Sequence, residues 1–250
     1  MSRRRKSPVE VDTVEPHLCS IELRLEILGR VPFLAPLSPP ELEAANKRFR
    51  EHGYEEGEVI YFSGDPATHL YVVASGQVRL TQHSLSGKDV LLDVLAAGEF
   101  FGSLAMRQDE TYAETAQAQT AACVLAIGAQ AFRDLLHESP QVALAVLDLT
   151  AERLQAAQER VHRLSAHPVE QRIAAVLLNL AAKLGEPRRE GLLIQTPLSR
   201  EDLAQMTGTT PETASRIMSQ FQKEGLIESG RQWVAITDRE QLAAVAAATD

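Results

Sequence analysis

The chain has 250 residues, 44% of them hydrophobic, which is material for two domains with cores of their own. Its formal net charge of −9 excludes a broad cationic face, because phosphate contacts need cations. Residues 166–250, with 9 basic and 11 acidic side chains, come closer to neutrality than residues 1–165, with 16 and 23.

Arg3-Arg4-Arg5-Lys6 opens a stretch without periodicity, and residues 1–30 read as a mobile N-terminal segment. Those first residues lack the apolar core of a signal peptide, and no apolar run approaches the roughly 18 residues that span a bilayer. The chain is expected to be cytoplasmic, with no membrane partner. Cys19 and Cys123 have no metal-ligand spacing and suggest no disulfide framework in a cytosolic protein, and Cys123 reads as a buried structural thiol.

Pro39 to Phe49 suggests a short amphipathic helix. From Tyr54 to Ile127 short β-rich runs alternate with turns: Val59–Phe62, Leu70–Val73, Val78–Thr81, Val90–Leu95 and Cys123–Ile127, separated by Gly64-Asp65-Pro66, Ser75-Gly76, Ser86-Gly87-Lys88 and Ala97-Gly98-Glu99. This is the pattern of a small antiparallel barrel or double-sheet roll.

Gln141 to Ser165 changes period. Ala143, Leu147, Thr150, Leu154, Ala157, Val161 and Leu164 alternate by four and three, an a/d seam flanked by Glu152, Arg153, Glu159, Arg160 and Arg163. So narrow a stripe between charged flanks predicts a two-helix dimer interface. His167-Pro168 breaks this helix and marks a hinge. Gln171 to Leu184 predicts a further helix, and Gly185 to Gln195 a loop with one short strand.

The most specific stretch is Ser199 to Thr237. Ser199 with Asp202 forms a capping box, and Leu203 and Met206 are the buried side of a first helix. Gly208 suits the left-handed end of that helix, and Thr210-Pro211 starts another with Thr as N-cap and Pro at the first helical position. Ala214, Ile217, Met218 and Phe221 give the second helix an apolar face, and Glu212, Thr213, Ser215 and Arg216 lie opposite. Leu226-Ile227, Ser229-Gly230 and Trp233–Ile236 follow as strand, turn and strand. Two short helices, a tight turn and a hairpin wing compose a DNA reader. In a major groove Glu212 accepts from cytosine N4, and Arg216 donates to guanine O6 and N7.

The string PETASR, with G-E-x-I-Y-x-x-G-D-x-x-x-x-L-Y-V-V-x-x-G-x-V upstream, resembles the CRP/FNR superfamily of bacterial transcription regulators, over nearly everything after residue 30. Pro211 and Ser215 resemble the E-x-x-S-R pattern of its FNR branch, where CRP has Arg and Gly. The resemblance implies an α+β architecture: a β-roll like the cyclic-nucleotide-binding domain (31–138), a dimerisation helix (139–166) and a winged helix-turn-helix (167–250). It implies a homodimer on double-stranded DNA with a TTGAT-N4-ATCAA-like palindrome, with Glu212, Ser215 and Arg216 reading bases. Arg200 and Thr210 match positions that hold phosphates, with Thr209 and Thr213 beside them, and RNA polymerase is a partner by the same resemblance. Leu147, Thr150, Leu154, Ala157, Val161 and Leu164 would form the dimer interface.

The expected effector pocket comprises Gly102, Ser103, Leu104, Tyr112 and Ala113. Cyclic-nucleotide binders of the family hold phosphate with an Arg-Ser pair and ribose with the Glu of G-E-L. This chain has Tyr112-Ala113 and Gly102-Ser103-Leu104, with Arg107 in the loop between. Both charged anchors are missing, which argues against cyclic AMP. Two cysteines fall short of the four thiolates of an iron-sulfur cluster. A likeness to the nitric-oxide-responsive branch keeps haem open, with His17, His83, His162 and His167 as candidate axial ligands. A regulator with no effector is a rival reading. No nucleophile-base constellation or phosphate-cradling loop points to an enzyme. The alternative from another class is a cyclic-nucleotide-regulated module whose helix-turn-helix docks a protein.

Overall fold

A computed structural model of the chain describes residues 19–83, 89–103, 110–188, 191–196, 198–230 and 232–248. The Arg3–Lys6 run, His17, the Ser86-Gly87-Lys88 turn, Leu104, Arg107 and the side chain of His83 lie outside the described residues. The chain divides into two compact units between Ala157 and Gln158.

In the first unit, helices α1 (Ile21–Arg30) and α2 (Pro39–Asn46) precede strands β1 (Arg50–Tyr54), β2 (Val59–Tyr61), β3 (His69–Ser75), β4 (Val78–His83), β5 (Asp89–Leu95), β6 (Phe100–Gly102), β7 (Thr115–Ala118) and β8 (Ala122–Gly128). The strands make two antiparallel sheets of four, ordered β1-β8-β3-β6 and β2-β7-β4-β5. This is the double-sheet roll that the turn spacing predicts. Helices α3 (Ala129–Glu138) and α4 (Pro140–Ala166) follow.

The central strands β3 and β8 are buried on both faces, and successive side chains enter different cores because the strand period is two. Leu70, Val72 and Ala74 with Cys123, Leu125 and Ile127 face a core shared with Ile27, Leu28, Phe33, Phe132, Val142 and Val146. Tyr71, Val73, Val124 and Ala126 face the roll interior, with Tyr61, Phe101 and Tyr112. Phe33 packs edge-on against Phe100 and Phe132, with ring centroids 5.1 and 5.7 Å apart, an arrangement that aromatic quadrupoles favour.

Two expectations are corrected here. Residues 21–30, read as part of a mobile segment, form α1. Ser20 caps it by accepting from Leu23 N at 3.2 Å, and Ile27 and Leu28 are sealed in the core. Arg24 ties the helix down by donating to Asn46 Oδ1 and to the carbonyls of Asn46 and Phe49. The two cysteines, read as unpaired, are joined as a disulfide across 104 residues, with Cα atoms 6.7 Å apart. Their pairing depends on α1 docking into the core that β8 also faces, a tertiary arrangement that local spacing does not encode.

The second unit contains the end of α4, α5 (Val169–Leu184), β9 (Gly185–Arg188), β10 (Gly191–Gln195), α6 (Arg200–Thr207), α7 (Pro211–Lys223), β11 (Ile227–Gly230), β12 (Trp233–Ile236) and α8 (Arg239–Ala247). Its antiparallel sheet runs β11-β12-β10-β9, so the wing hairpin continues into the strands after α5. Ile173, Leu177 and Leu180 of α5, Leu203 of α6, Met218 and Phe221 of α7, Ile227 and Trp233 of the wing and Leu242 of α8 are buried. His167 stands alone between α4 and α5, and Pro168 occupies the N-cap of α5. No helix among the described residues is long and apolar enough to cross a membrane.

Candidate nucleic-acid interface

Helix α6 starts where its cap dictates. Ser199 Oγ accepts from Asp202 N at 3.0 Å, and Asp202 Oδ2 accepts from Ser199 N at 2.8 Å, so two backbone donors of the first turn are satisfied reciprocally. The helix stops at Gly208, whose φ of 60° and ψ of 47° are left-handed, a conformation glycine adopts without steric cost. Thr207 Oγ1 reinforces the stop by donating to Leu203 O at 2.6 Å. Two residues later Thr210 Oγ1 accepts from Thr213 N at 3.2 Å, and Pro211 opens α7. Gly208, Thr209 and Thr210 thus make a three-residue turn between two capped helices.

The turn orients α7 with Ala214, Ile217, Met218 and Phe221 inward. Glu212, Ser215 and Arg216 are exposed, and Thr213 is half-buried behind its bond to Thr210. The three residues expected to read bases therefore share the first turn and a half of one outward face. Glu212 sits at the positive end of the helix dipole, which favours a carboxylate. Thr209 is half-buried in the turn and Thr210 is exposed.

Arg200 is placed differently. It is half-buried, and its Nη2 donates to Ser229 Oγ on β11 at 2.9 Å. Loss of solvation lowers its pKa. Gln222 Nε2 on α7 donates to Ser229 O at 3.3 Å. Ser229 thus joins both helices to the wing, a role that sequence reasoning missed because Arg200 and Ser229 lie 29 residues apart. Ser219, one turn beyond Ser215, was also missed. It is exposed and donates to Ser215 O at 2.9 Å, and the three- and four-residue spacing that marked Ser215 and Arg216 extends to it.

Of the residues expected to form an effector pocket, Tyr112 lies in the roll interior and Ala113 on the surface. Gly102 has a φ of 85°, and a Cβ there would lie 2.8 Å from His69 O, so only glycine fits. Ser103 is buried and donates to Glu110 Oε2 at 2.7 Å. Tyr112 points inward and stacks on Tyr61 with centroids 3.7 Å apart, and Tyr71 stacks on Phe101 at 5.2 Å. Tyr112 Oη accepts from His69 N at 3.0 Å and donates to His69 O at 3.2 Å. Ala113 is exposed and contributes its carbonyl, which accepts from Ser63 Oγ at 3.1 Å.

Burial, helped by Glu114, raises the Tyr61 phenol far above its ordinary pKa, and burial also raises that of Tyr71. Desolvation lowers that of His69. Among the described residues this wall offers rings and hydroxyls. Among the described residues no cluster of His, Cys, Asp or Glu is placed to hold a metal ion. Of the candidate haem ligands, His162 and His167 pack edge to face at 5.7 Å, and His167 Nδ1 bonds to Gln171 Oε1 at 2.7 Å.

Comparison with known proteins agrees with this geometry. Residues 51–139 match the cyclic nucleotide-binding domain family, and residues 171–245 match the Crp-like helix-turn-helix domain family. The probable transcriptional regulator flp of Lacticaseibacillus casei is 32% identical over 215 residues, 85% of this chain and 94% of that protein. The chain belongs to the CRP/FNR superfamily of transcription regulators. The cyclic AMP receptor protein of Thermus thermophilus is 30% identical over 86% of this chain and 96% of its own length. The structure of FixK2 from Bradyrhizobium japonicum superposes with a TM-score of 0.71 at 25% identity, covering 81% of this chain and 99% of that one. As a CRP/FNR regulator the chain binds DNA through its helix-turn-helix domain and belongs to a non-enzymatic family.

If the cap on α7 holds the reading helix in place, Thr210→Ala should lower the stability of the C-terminal unit by about 1 kcal/mol. Urea unfolding followed by Trp233 fluorescence measures this, and an unchanged midpoint would show that the cap is dispensable.

Proposed function

We propose that this CRP/FNR regulator works as a homodimer on a palindromic promoter site, that α7 reads each half-site through Glu212, Ser215 and Arg216, and that it does so without cyclic AMP. The observation that carries the DNA-reading part is the exposed face of α7, where an acceptor and a bidentate donor stand one turn apart on a helix fixed by caps at both sides of the turn. The site that fits these residues resembles TTGAT-N4-ATCAA, with Arg216 and Glu212 sharing the G·C pair. Thr209, Thr210 and Thr213 stand beside the phosphates at the start of α7. Arg200 fixes the wing through Ser229 and supplies positive charge next to the backbone.

Dimerisation is supported by α4. Leu147, Leu154 and Val161 are each more than 60% exposed and Leu164 is 41% exposed, on the stripe that also carries Thr150 and Ala157. A row of large apolar side chains in water is what a second copy covers. The net negative charge makes the dimer important for affinity, since two half-sites reinforce each other when nonspecific attraction is weak.

Independence from cyclic AMP is supported by the filled roll wall. Ser103, Tyr112 and Ala113 supply neither guanidinium nor ribose-binding carboxylate, and the Tyr61–Tyr112 stack occupies the interior. The two Mycobacterium tuberculosis relatives described as cAMP-activated are 26% identical to this chain, so that response belongs to them and need not follow the fold. Any signal that acts through the roll does so by its difference in affinity for two arrangements of α4 and of the junction at His167-Pro168. We further infer a cytoplasmic site of action and a contact with RNA polymerase from membership of the superfamily.

Three outcomes are expected. Selection from a randomised duplex pool should recover the TTGAT palindrome, and Arg216→Ala should cost about 1 to 3 kcal/mol per half-site and relax preference at the G·C pair; recovery of a TGTGA half-site would reject this reading of α7. Leu154→Glu with Val161→Glu should halve the mass seen by light scattering, because charges enter an apolar interface, and an unchanged mass would reject the seam. Calorimetry should detect no cyclic AMP binding, whereas a micromolar dissociation constant, about −8 kcal/mol, with tighter DNA binding would overturn cyclic AMP independence.

A further inference from the structure

Arg200 opens α6, and Ser229 lies on β11, the edge strand of the wing sheet, so the bond between them crosses from the first helix of the helix-turn-helix to its wing. The two ends differ in stiffness. Arg200 carries one of the most rotamer-rich side chains, whereas a single side-chain torsion places the Ser229 oxygen. That torsion starts from a fixed backbone. Ser229 pairs with Val234 in the β11–β12 ladder, and its carbonyl accepts from Gln222 Nε2 on α7 at 3.3 Å. The next residue, Gly230, lies against the buried Trp233 indole, where a Cβ would fall 2.3 Å from Nε1. The hydroxyl is therefore the fixed partner, and the guanidinium is the one that is held.

We propose that Ser229 is a positioning residue for DNA binding, whose hydroxyl holds the Arg200 side chain in the orientation from which its guanidinium meets a DNA phosphate. The inference rests on Arg200 as a phosphate contact, and it gives the wing a part in binding that runs through Arg200. Ser229 takes one of the five N–H donors of a rigid plane, on Nη2, and the plane is aimed before DNA arrives.

A hydroxyl suits this task better than a carboxylate. It orients the guanidinium without neutralising it, whereas an acidic side chain at the same place would compete with the phosphate for the same donors. An arginine without such a partner loses its rotamer freedom only when DNA binds, a cost that preorganisation removes. Because phosphate contacts carry no sequence information, the contribution of Ser229 is the same on every duplex, unlike that of Arg216.

The test is a double-mutant cycle on the full chain, with Kd measured over a series of salt concentrations on a TTGAT-N4-ATCAA duplex and on one of scrambled sequence. Arg200→Ala should weaken both and make the salt slope shallower by about one. Ser229→Ala should weaken both by about two- to tenfold in the native background, the cost of fixing one long side chain on binding, and should add nothing in the Arg200→Ala background. Ser229→Thr, which keeps the hydroxyl and suits a strand, should bind as the native chain does, and Ser229→Val, of the same shape without the hydroxyl, should match Ser229→Ala. The unfolding transition of Trp233, the chain's only tryptophan, shows that each variant is folded. No loss from Ser229→Ala, the same loss with and without Arg200, or a loss from Ser229→Thr as large as that from Ser229→Val would overturn the proposal and leave the Arg200 contact standing. An Arg200→Ala variant with unchanged affinity and slope would reject both. Failure to select a TTGAT palindrome touches neither, since the scrambled duplex carries the same phosphates.

Discussion

Helix α4 buries only its beginning within the chain. Val142 and Val146 are sealed in the sensor core, and from Leu147 onward the large apolar side chains of the stripe face water. Its 27 residues are too many for a helix that merely covers its own domain, and its apolar stripe is too narrow for one buried all round. The dimer proposed above would take that stripe out of water, and its paired helices would set how two reading heads are carried. The acidic composition fits the same constraint. A chain whose acids outnumber its cations holds DNA by placed contacts, which the proposed dimer would duplicate.

The first unit has the architecture of a cyclic nucleotide-binding roll, and its interior is lined by aromatic rings. Alternation along β3 and β8 feeds two cores at once, so changes in the roll interior share strands with the core that seats α1, α3 and the start of α4. Inside the roll, Tyr61, Tyr71, Phe101 and Tyr112 supply stacked rings, and Tyr112 is fixed by both polar groups of the His69 backbone. The disulfide sits on the other side of β8, in the outer core that also seats the start of α4.

The DNA-reading half was largely legible in the sequence because its determinants are local. Ser199 and Asp202, Gly208, and Thr210 with Pro211 act over three or four residues, and each acts in the structure as its chemistry predicts. The exposed a/d stripe was legible for the same reason. What escaped depends on distant partners. β1, with the sequence REHGY, has no alternating pattern and becomes a strand by pairing with β8, and β7, TAQA, does so between β2 and β4. Helix α1 was hidden because its mean apolar content is low and its two buried residues matter only beside the sheet. The Cys19–Cys123 pair and the bond from Arg200 to Ser229 span 104 and 29 residues, beyond any spacing rule.

Sedimentation equilibrium of the full chain mixed with a duplex carrying the selected palindrome tests the account most directly. Two 27.4 kDa chains should load on each duplex together, and a duplex with one half-site destroyed should bind far more weakly. A complex of one chain per duplex, or equal affinity for the intact and the half-destroyed site, would contradict it.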